Sequence, residues 1–298
     1  MRISDTQFSQ MMLQSLQLNN AGLGQVMQQM ATGDRLTKLS DDPMASIQLL
    51  NLDREGSAIN QYQSNIANVK TALSSQEVHL DSVNESLKSI NDLVLWGANG
   101  TLTDDDRVGI ITELESLRSS IVSSFNAQDE EGRYLFSGTK TDTAALSNAS
   151  GSYVIEGNND KRVVTVAKGV SMEANMTAEE ILDLGGNNVL NQLDDLIAEF
   201  KAPTAAFRTT VESSLNAIES TSGNVLSALT ELGGRHNNLD LMDSAHGENK
   251  LFVDKVISDL SALDYGEASV RLSNYMAALQ ATQASYMKIN DLSLFNRI

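Results

Sequence analysis

The sequence predicts a mainly α chain: an elongated coiled-coil helical rod built from both chain ends, with a small β-rich lobe inserted between them. Three observations predict it. An apolar seam keeps three-four spacing from Ile59 to Val94. The hydrophobic period changes between residues 132 and 167 and then returns to the helical one. Only two prolines, Pro43 and Pro203, are present to interrupt helices.

The seam reads Ile59, Tyr62, Ile66, Val69, Leu73, Gln76, Leu80, Val83, Leu87, Ile90 and Val94. Ten of these eleven positions are apolar, and five heptads of such spacing define a long amphipathic helix. At 1.5 Å per residue the stretch spans roughly 50 Å. Gly97 and Gly100 end it in a turn. A second helix follows, with Thr103 as cap, Asp104, Asp105 and Asp106 at its positive end, and a stripe of Ile110, Leu114, Leu117, Ile121 and Phe125. The short turn and opposed seams predict an antiparallel pair.

The middle reads differently. Gly132–Gly138 (GRYLFSG) predicts a short strand entering a turn. Ser152–Ala167 predicts a hairpin with strands centred on Val154 and Val164 and the turn at Gly157–Asp160. Helix returns at 187–200 on Val189, Leu193, Leu196 and Ile197. After Pro203 a long pattern runs through Val211, Leu215, Ile218, Val225, Leu229, Leu232 and Leu239, weakens at Gly247–Lys250 and resumes with Val253, Ile257 and Leu260. Neither amphipathic half can hide its seam alone, so the two halves must pack on each other.

The two ends carry more apolar surface than one neighbour can cover. Phe8, Met12, Leu16, Leu23, Val26, Met27 and Met30 share a helix face, with Met11 and Leu18 to one side and Leu13 to the other. The arc is about 220° wide, against about 100° for a helix on a single partner. Near the other end Leu272, Tyr275, Met276, Leu279, Tyr286, Met287 and Ile289 gather on one face, opposite Ala277, Ala281 and Ala284. Leu292 and Phe295 extend this apolar stretch. Candidate assembly residues are therefore Phe8, Met12, Leu16, Leu23, Val26, Met30, Leu272, Leu279, Tyr286, Ile289, Leu292 and Phe295.

Composition narrows the function. The net charge of −18 disfavours nucleic acid and anionic membrane surfaces, which need a basic patch. There is no cysteine, hence no disulfide or thiol chemistry. No basic start followed by an apolar run marks a secretory signal, and no run reaches bilayer length, so composition by itself describes a soluble cytoplasmic protein. His79, His236 and His246 lack ligand spacing, and Walker, EF-hand, GxGxxG and GxSxG patterns are missing. The acidic runs 41–42, 104–106 and 194–195 sit where caps or solvated faces belong. The N-x-S/T triplets at Asn84, Asn99, Asn148 and Asn175 read as chance. No catalytic residue, cofactor or metal is expected.

Several segments resemble the flagellin superfamily. Met30–Ser46 (MATGDRLTKLSDDPMAS) is similar to its Ser-Asp-Asp-Pro motif, matched at Ser40, Asp41, Asp42 and Pro43, with Ala31–Thr32 where a serine pair is usual. Asn65 after Tyr62, Trp96–Arg107 (WGANGTLTDDDR), and Gly132–Thr141 (GRYLFSGTKT) with Gly138 also match. In ELGGRHNNL, Gly234 and Asn237 match, and Asn238 replaces the usual arginine. The opening MRIS and the ending SLF resemble junction-type members more than filament-forming flagellin, which is the alternative reading. The resemblance covers residues 1–140 and 205–298.

The resemblance implies a structural subunit, not an enzyme, at the hook–filament junction of the bacterial flagellum. It implies type III export without a cleaved signal and a secreted, extracellular location. The implied partners are hook-associated protein 1, flagellin, copies of the chain in a ring, and an export chaperone on the C-terminal helix. The corresponding division is 1–44 and 264–298 as inner-tube segments, disordered in the monomer; 45–140 and 204–263 as the rod, the former with a β-hairpin; and 141–203 as the β-rich lobe plus helix.

Overall fold

The computed structural model describes residues 2–98, 103–148, 151–182 and 188–295, and the side chains of all of these except 2–6, 8 and 289–295. Seven helices and four short strands follow in the order α1 (Arg2–Thr32), α2 (Pro43–Gly97), α3 (Asp104–Phe125), β1 (Leu146–Ser147), β2 (Val154–Ile155), β3 (Val163–Ala167), β4 (Val170–Glu173), α4 (Ala178–Leu182), α5 (Val189–Lys201), α6 (Phe207–Ser261) and α7 (Tyr265–Phe295). The fold class is mainly α with two small antiparallel sheets, as the periodicity predicts.

Two compact units are present. One comprises residues 1–58 and 248–298, the other 59–247. Helices α2 and α6 contribute residues to both.

The 59–247 unit is organised by the α2 seam. Every apolar seam position from Ile66 to Val94 is at most 2% exposed. It packs in one core with Ile110, Leu114, Ile121 and Phe125 of α3, with Leu190, Leu193, Leu196, Ile197 and Phe200 of α5, and with Val211, Ile218, Val225, Leu232 and Leu239 of α6. Each such side chain contributes about 2 kcal/mol when removed from water. Helix α3 begins in a capping box: the Thr103 hydroxyl accepts from the Asp106 amide at 3.2 Å, and the Thr103 amide donates to Asp106 Oδ2 at 3.1 Å. The glycine turn expected before it falls at 99–102, outside the described residues. Ion pairs Arg118–Asp194 and Lys201–Glu115 join α3 to α5.

Gln76, the one polar member of the seam, is fully buried. Its Nε2 donates to the carbonyls of Leu135 at 2.7 Å and Met176 at 3.0 Å, and its Oε1 accepts from the Met176 amide at 2.8 Å. The side chain therefore fastens two non-helical segments of the lobe to the long helix.

Two details of the middle differ from the sequence prediction. Gly132–Gly138 is not a strand: only a single bridge, Gln128 to Tyr134, forms there. The segment folds back on itself instead, with the Leu135 amide donating to the Ala127 carbonyl and the Tyr134 amide to the Thr141 carbonyl. Leu135 and Phe136 are thereby buried against α2 and α3. The expected hairpin over 152–167 is also split. β2 pairs with β1, and β3 pairs with β4 through a two-residue turn whose Gly169 has φ of 76°. A glycine at a positive-φ turn position makes that tight connection favourable. The loop at 157–160 turns toward Gly138 instead, where Asn158 Oδ1 accepts from the Thr139 amide at 2.8 Å.

Helix α6 runs unbroken through Gly247–Lys250, where the sequence pattern weakens. A glycine costs only about 1 kcal/mol in a helix, and no proline is present to force a break.

Candidate assembly surface

The unit of residues 1–58 and 248–298 is built on the pairing of α1 with α7. Its buried centre is small: Val26 (3% exposed), Leu263 and Ala268, flanked by the half-buried Met30, Leu272 and Tyr275. A Cβ at Gly22 would lie 2.6 Å from the Tyr275 ring, so a side chain there would displace it.

A polar joint ties the end of α1 to the start of α7. Gln29, 4% exposed, donates from Nε2 to the Arg35 carbonyl at 2.5 Å and accepts from Arg271 Nη2 at 3.1 Å. The Arg35 amide donates to the Ser261 carbonyl at 2.7 Å, and the Leu263 amide to the Gly33 carbonyl at 2.9 Å. Arg35 Nη2 also reaches the Leu260 carbonyl, and its Nη1 pairs with Asp42 at 3.3 Å. The Tyr265 hydroxyl donates to the Met30 carbonyl at 3.3 Å. Backbone groups at the end of α1 and around the start of α7 are thus mutually satisfied.

Within the Ser-Asp-Asp-Pro motif the residues divide their work. Pro43 is the first residue of α2, where its missing amide hydrogen costs nothing. Asp42 accepts from the Ala45 amide at 3.1 Å and caps the helix. That hydrogen bond, joined by the Arg35 side chain, holds the Asp42 carboxyl below its ordinary value of 3.8. Asp41 accepts from the Thr37 amide and hydroxyl and from the Lys38 amide. Its slight desolvation is outweighed by those hydrogen bonds, so its pKa is lowered too. Ser40 is exposed. Because the folded pKa of Asp42 is depressed, its contribution is present above pH 3.8 and is lost as pH falls through the lower folded value. Amide exchange at Ala45 and Ser46 is therefore expected to accelerate, relative to mid-α2 amides, as pH falls below 3.8, and an Asp42→Ala chain to show the faster exchange already at neutral pH. Equal relative protection in the two chains would refute the cap.

The other predicted residues are distributed as follows. Met12, Leu16, Leu23, Met30 and Leu272 are half-buried, Val26 and Leu279 buried, and Tyr286 is 37% exposed. The side chains of Phe8, Ile289, Leu292 and Phe295 lie outside the described residues. Asn65 and Gly138 belong to the other unit, where Asn65 Nδ2 donates to the Thr165 carbonyl at 2.8 Å. Gly234 and Asn237 lie exposed on α6, also in that unit. The matched residues are therefore not one cluster. Gln29, Arg35 and Arg271 were not singled out from the sequence; the only trace they leave there is polarity at the edge of an apolar face.

After α1 and α7 pair, much of the apolar arc is still in water. Met11 is 61% exposed, Leu18 66%, Met27 58%, Met276 49% and Met287 62%. Among the described residues no helix is long and apolar enough to cross a membrane, and no group of three acidic or histidine side chains could hold a metal. His246, buried, is occupied by the Val166 carbonyl at 2.8 Å and stacks on Tyr62.

Residues 3–141 match the family model of the bacterial flagellin N-terminal helical region. Flagellar hook-associated protein 3 of Escherichia coli K12 is 30% identical over 289 residues, covering 90% of each chain. The chain belongs to the flagellar hook-associated protein 3 family. The Salmonella typhimurium LT2 member is 27% identical over 313 residues and 99% of each chain. A solved structure of a flagellar hook-associated protein from Vibrio parahaemolyticus is 74% identical, with a TM-score of 0.72 over 74% of this chain and 100% of that one. As a member of the hook-associated protein 3 family, the chain is a flagellar structural protein.

Proposed function

We propose that the chain is the subunit that joins hook to filament. It binds hook-associated protein 1 on one side and flagellin on the other, in a ring of its own copies. It reaches the extracellular flagellum through the type III channel, with an export chaperone on its C-terminal helix. The observation that carries this reading is the apolar arc of α1 and α7 that stays exposed after the two helices pair. Exposed apolar surface of this extent marks a protein interface. In the free chain such a thinly covered helix pair gains little from burial, so residues 1–44 and 264–298 order on assembly into an inner tube. Residues 45–140 and 204–263 form the rod, and 141–203 the lobe. The structural family supports a role in assembly.

Leu23→Asp tests this. Leu23 lies in the terminal unit, apart from the seam of the 59–247 unit. The variant is expected to be secreted and to melt like the parent in its 59–247 unit, but to fail to incorporate between hook and filament, leaving cells non-motile. Normal motility with the variant present in flagella would overturn the mechanism.

A further inference from the structure

The 59–247 unit contains an open cleft of about 690 Å³. One wall is a face of α2 with small polar side chains, Asn68, Thr71 and Ser75 among them. The segment 128–133 also lines it, with Asp129, Glu130, Glu131 and Arg133, as does Arg162 just before β3.

The cations of the cleft, Arg133 and Arg162, are not alike, and two others of the same unit, Lys161 and Arg235, resemble the first. Arg133 is held by Asp129 and Glu131, each at 2.8 Å. Lys161 is held by Glu173 and Glu180, each at 3.1 Å. Arg235 is held by Glu173 and Glu231. Among the described residues the Arg162 guanidinium has no ion pair or hydrogen bond, although its Nε is shielded from solvent. Its backbone is firmly placed, the amide donating to Asn175 Oδ1 at 2.7 Å. Burial, and then the neighbouring Arg133, lower its pKa, and Asp129 opposes them only in part. A half-buried charge with no partner is a net cost to the fold.

We propose that the cleft is a docking site for a single carboxylate side chain on an extended peptide segment of a neighbouring subunit, received by Arg162. Guanidinium and carboxylate match in shape and charge, and the pair strengthens away from bulk water. The amide of Asn68 and the hydroxyl of Ser75 provide hydrogen-bonding groups for the segment's backbone. Asp129, Glu130 and Glu131 in the lining repel ligands of higher negative charge more strongly than a single carboxylate, which disfavours phosphates and nucleic acid. The proposal rests on the reading that the chain works in contact with other subunits, but its test needs no assembly.

The full-length chain would be titrated with N-acetyl-Gly-Glu-Gly-amide while the Arg162 Nε–Hε resonance is followed. A saturable shift is expected. The same peptide with glutamine is expected to give none. Arg162→Gln is expected to weaken peptide binding at least tenfold, as judged from backbone amides around the cleft, with no loss of thermal stability. Arg162→Lys is expected to retain part of the affinity. Thr71→Leu, which narrows the cleft and leaves Arg162 in place, is expected to weaken binding as well. A silent Arg162 resonance, equal binding of the glutamine peptide, full affinity in Arg162→Gln, or displacement of the peptide by equimolar inorganic phosphate would each overturn the proposal. A Leu23→Asp chain is expected to bind the peptide normally, so failure of the assembly reading and failure of this one are separable.

Discussion

A Gly138→Val chain is expected to lose about 4 kcal/mol of the stability of the 59–247 unit, the sum of left-handed backbone strain and overpacking. Gly138 has φ of 71°, a conformation costly to a β-branched residue. A Cβ there would also collide with the carbonyl oxygen and the side-chain Oδ1 of Asn158 and lie 2.9 Å from the carbonyl oxygen of Asp160. Two of these three obstacles are backbone, so relief requires moving the 157–160 loop. That loop is attached to the 137–139 turn by the Asn158 amide on the Ser137 carbonyl and by Asn158 Nδ2 on the Thr139 hydroxyl. Natural domains are stable by only about 5–15 kcal/mol, so the change removes a large part of the margin. Urea unfolding monitored by circular dichroism measures it. Gly132→Ala is the control: its φ is 77° and nothing lies within 4 Å of a Cβ there, so it isolates backbone strain from collision. Equal losses at the two positions would show that the close approach at Gly138 is unimportant.

Gln76→Leu is expected to cost about 3 kcal/mol, even though it completes the apolar seam. The leucine gains burial, but the Leu135 carbonyl and the Met176 carbonyl and amide lose their partner in a dry site. Each stranded group costs about 1–3 kcal/mol, more than one extra apolar side chain returns. The loss should be local as well as global, with the Met176 amide accelerating most, while amides at Leu87 and Ile90, on the same helix as Gln76, accelerate only as far as global stability falls. Unchanged exchange at Met176, or a gain in stability, would mean that the glutamine is incidental. The two variants probe one design. The lobe has little sheet of its own, two ladders of two strands, and is held by backbone groups satisfied from outside it.

Much of this molecule can be read from its residues in order. The seam from Ile59 to Val94 states its period plainly, because a helix that buries one stripe must repeat apolar residues at that interval. The capping box at Thr103 is legible for a similar reason: its donors and acceptors are neighbours in sequence. The excess apolar arc of residues 8–30 is legible as surface without a partner, and the exposure of Met11, Leu18 and Met27 agrees. Pairing in the lobe was not legible. Val154 and Val164 have the right character for strands, but strand character does not name a partner, and each found another one.

The sequence by itself determined the helices, their buried faces and the apolar excess at both ends, since these follow from side-chain period and local capping, which need no knowledge of distant residues. The tertiary structure alone decided three things: that Gln76 holds the lobe, that Gln29, Arg35 and Arg271 join the chain ends, and that Arg162 stands unpaired in its cleft. The partners of those side chains lie up to 242 residues away in the chain, as for Arg271 and Gln29. Hydrogen bonding and charge pairing act over a few ångströms of space regardless of sequence separation, so no local pattern encodes them.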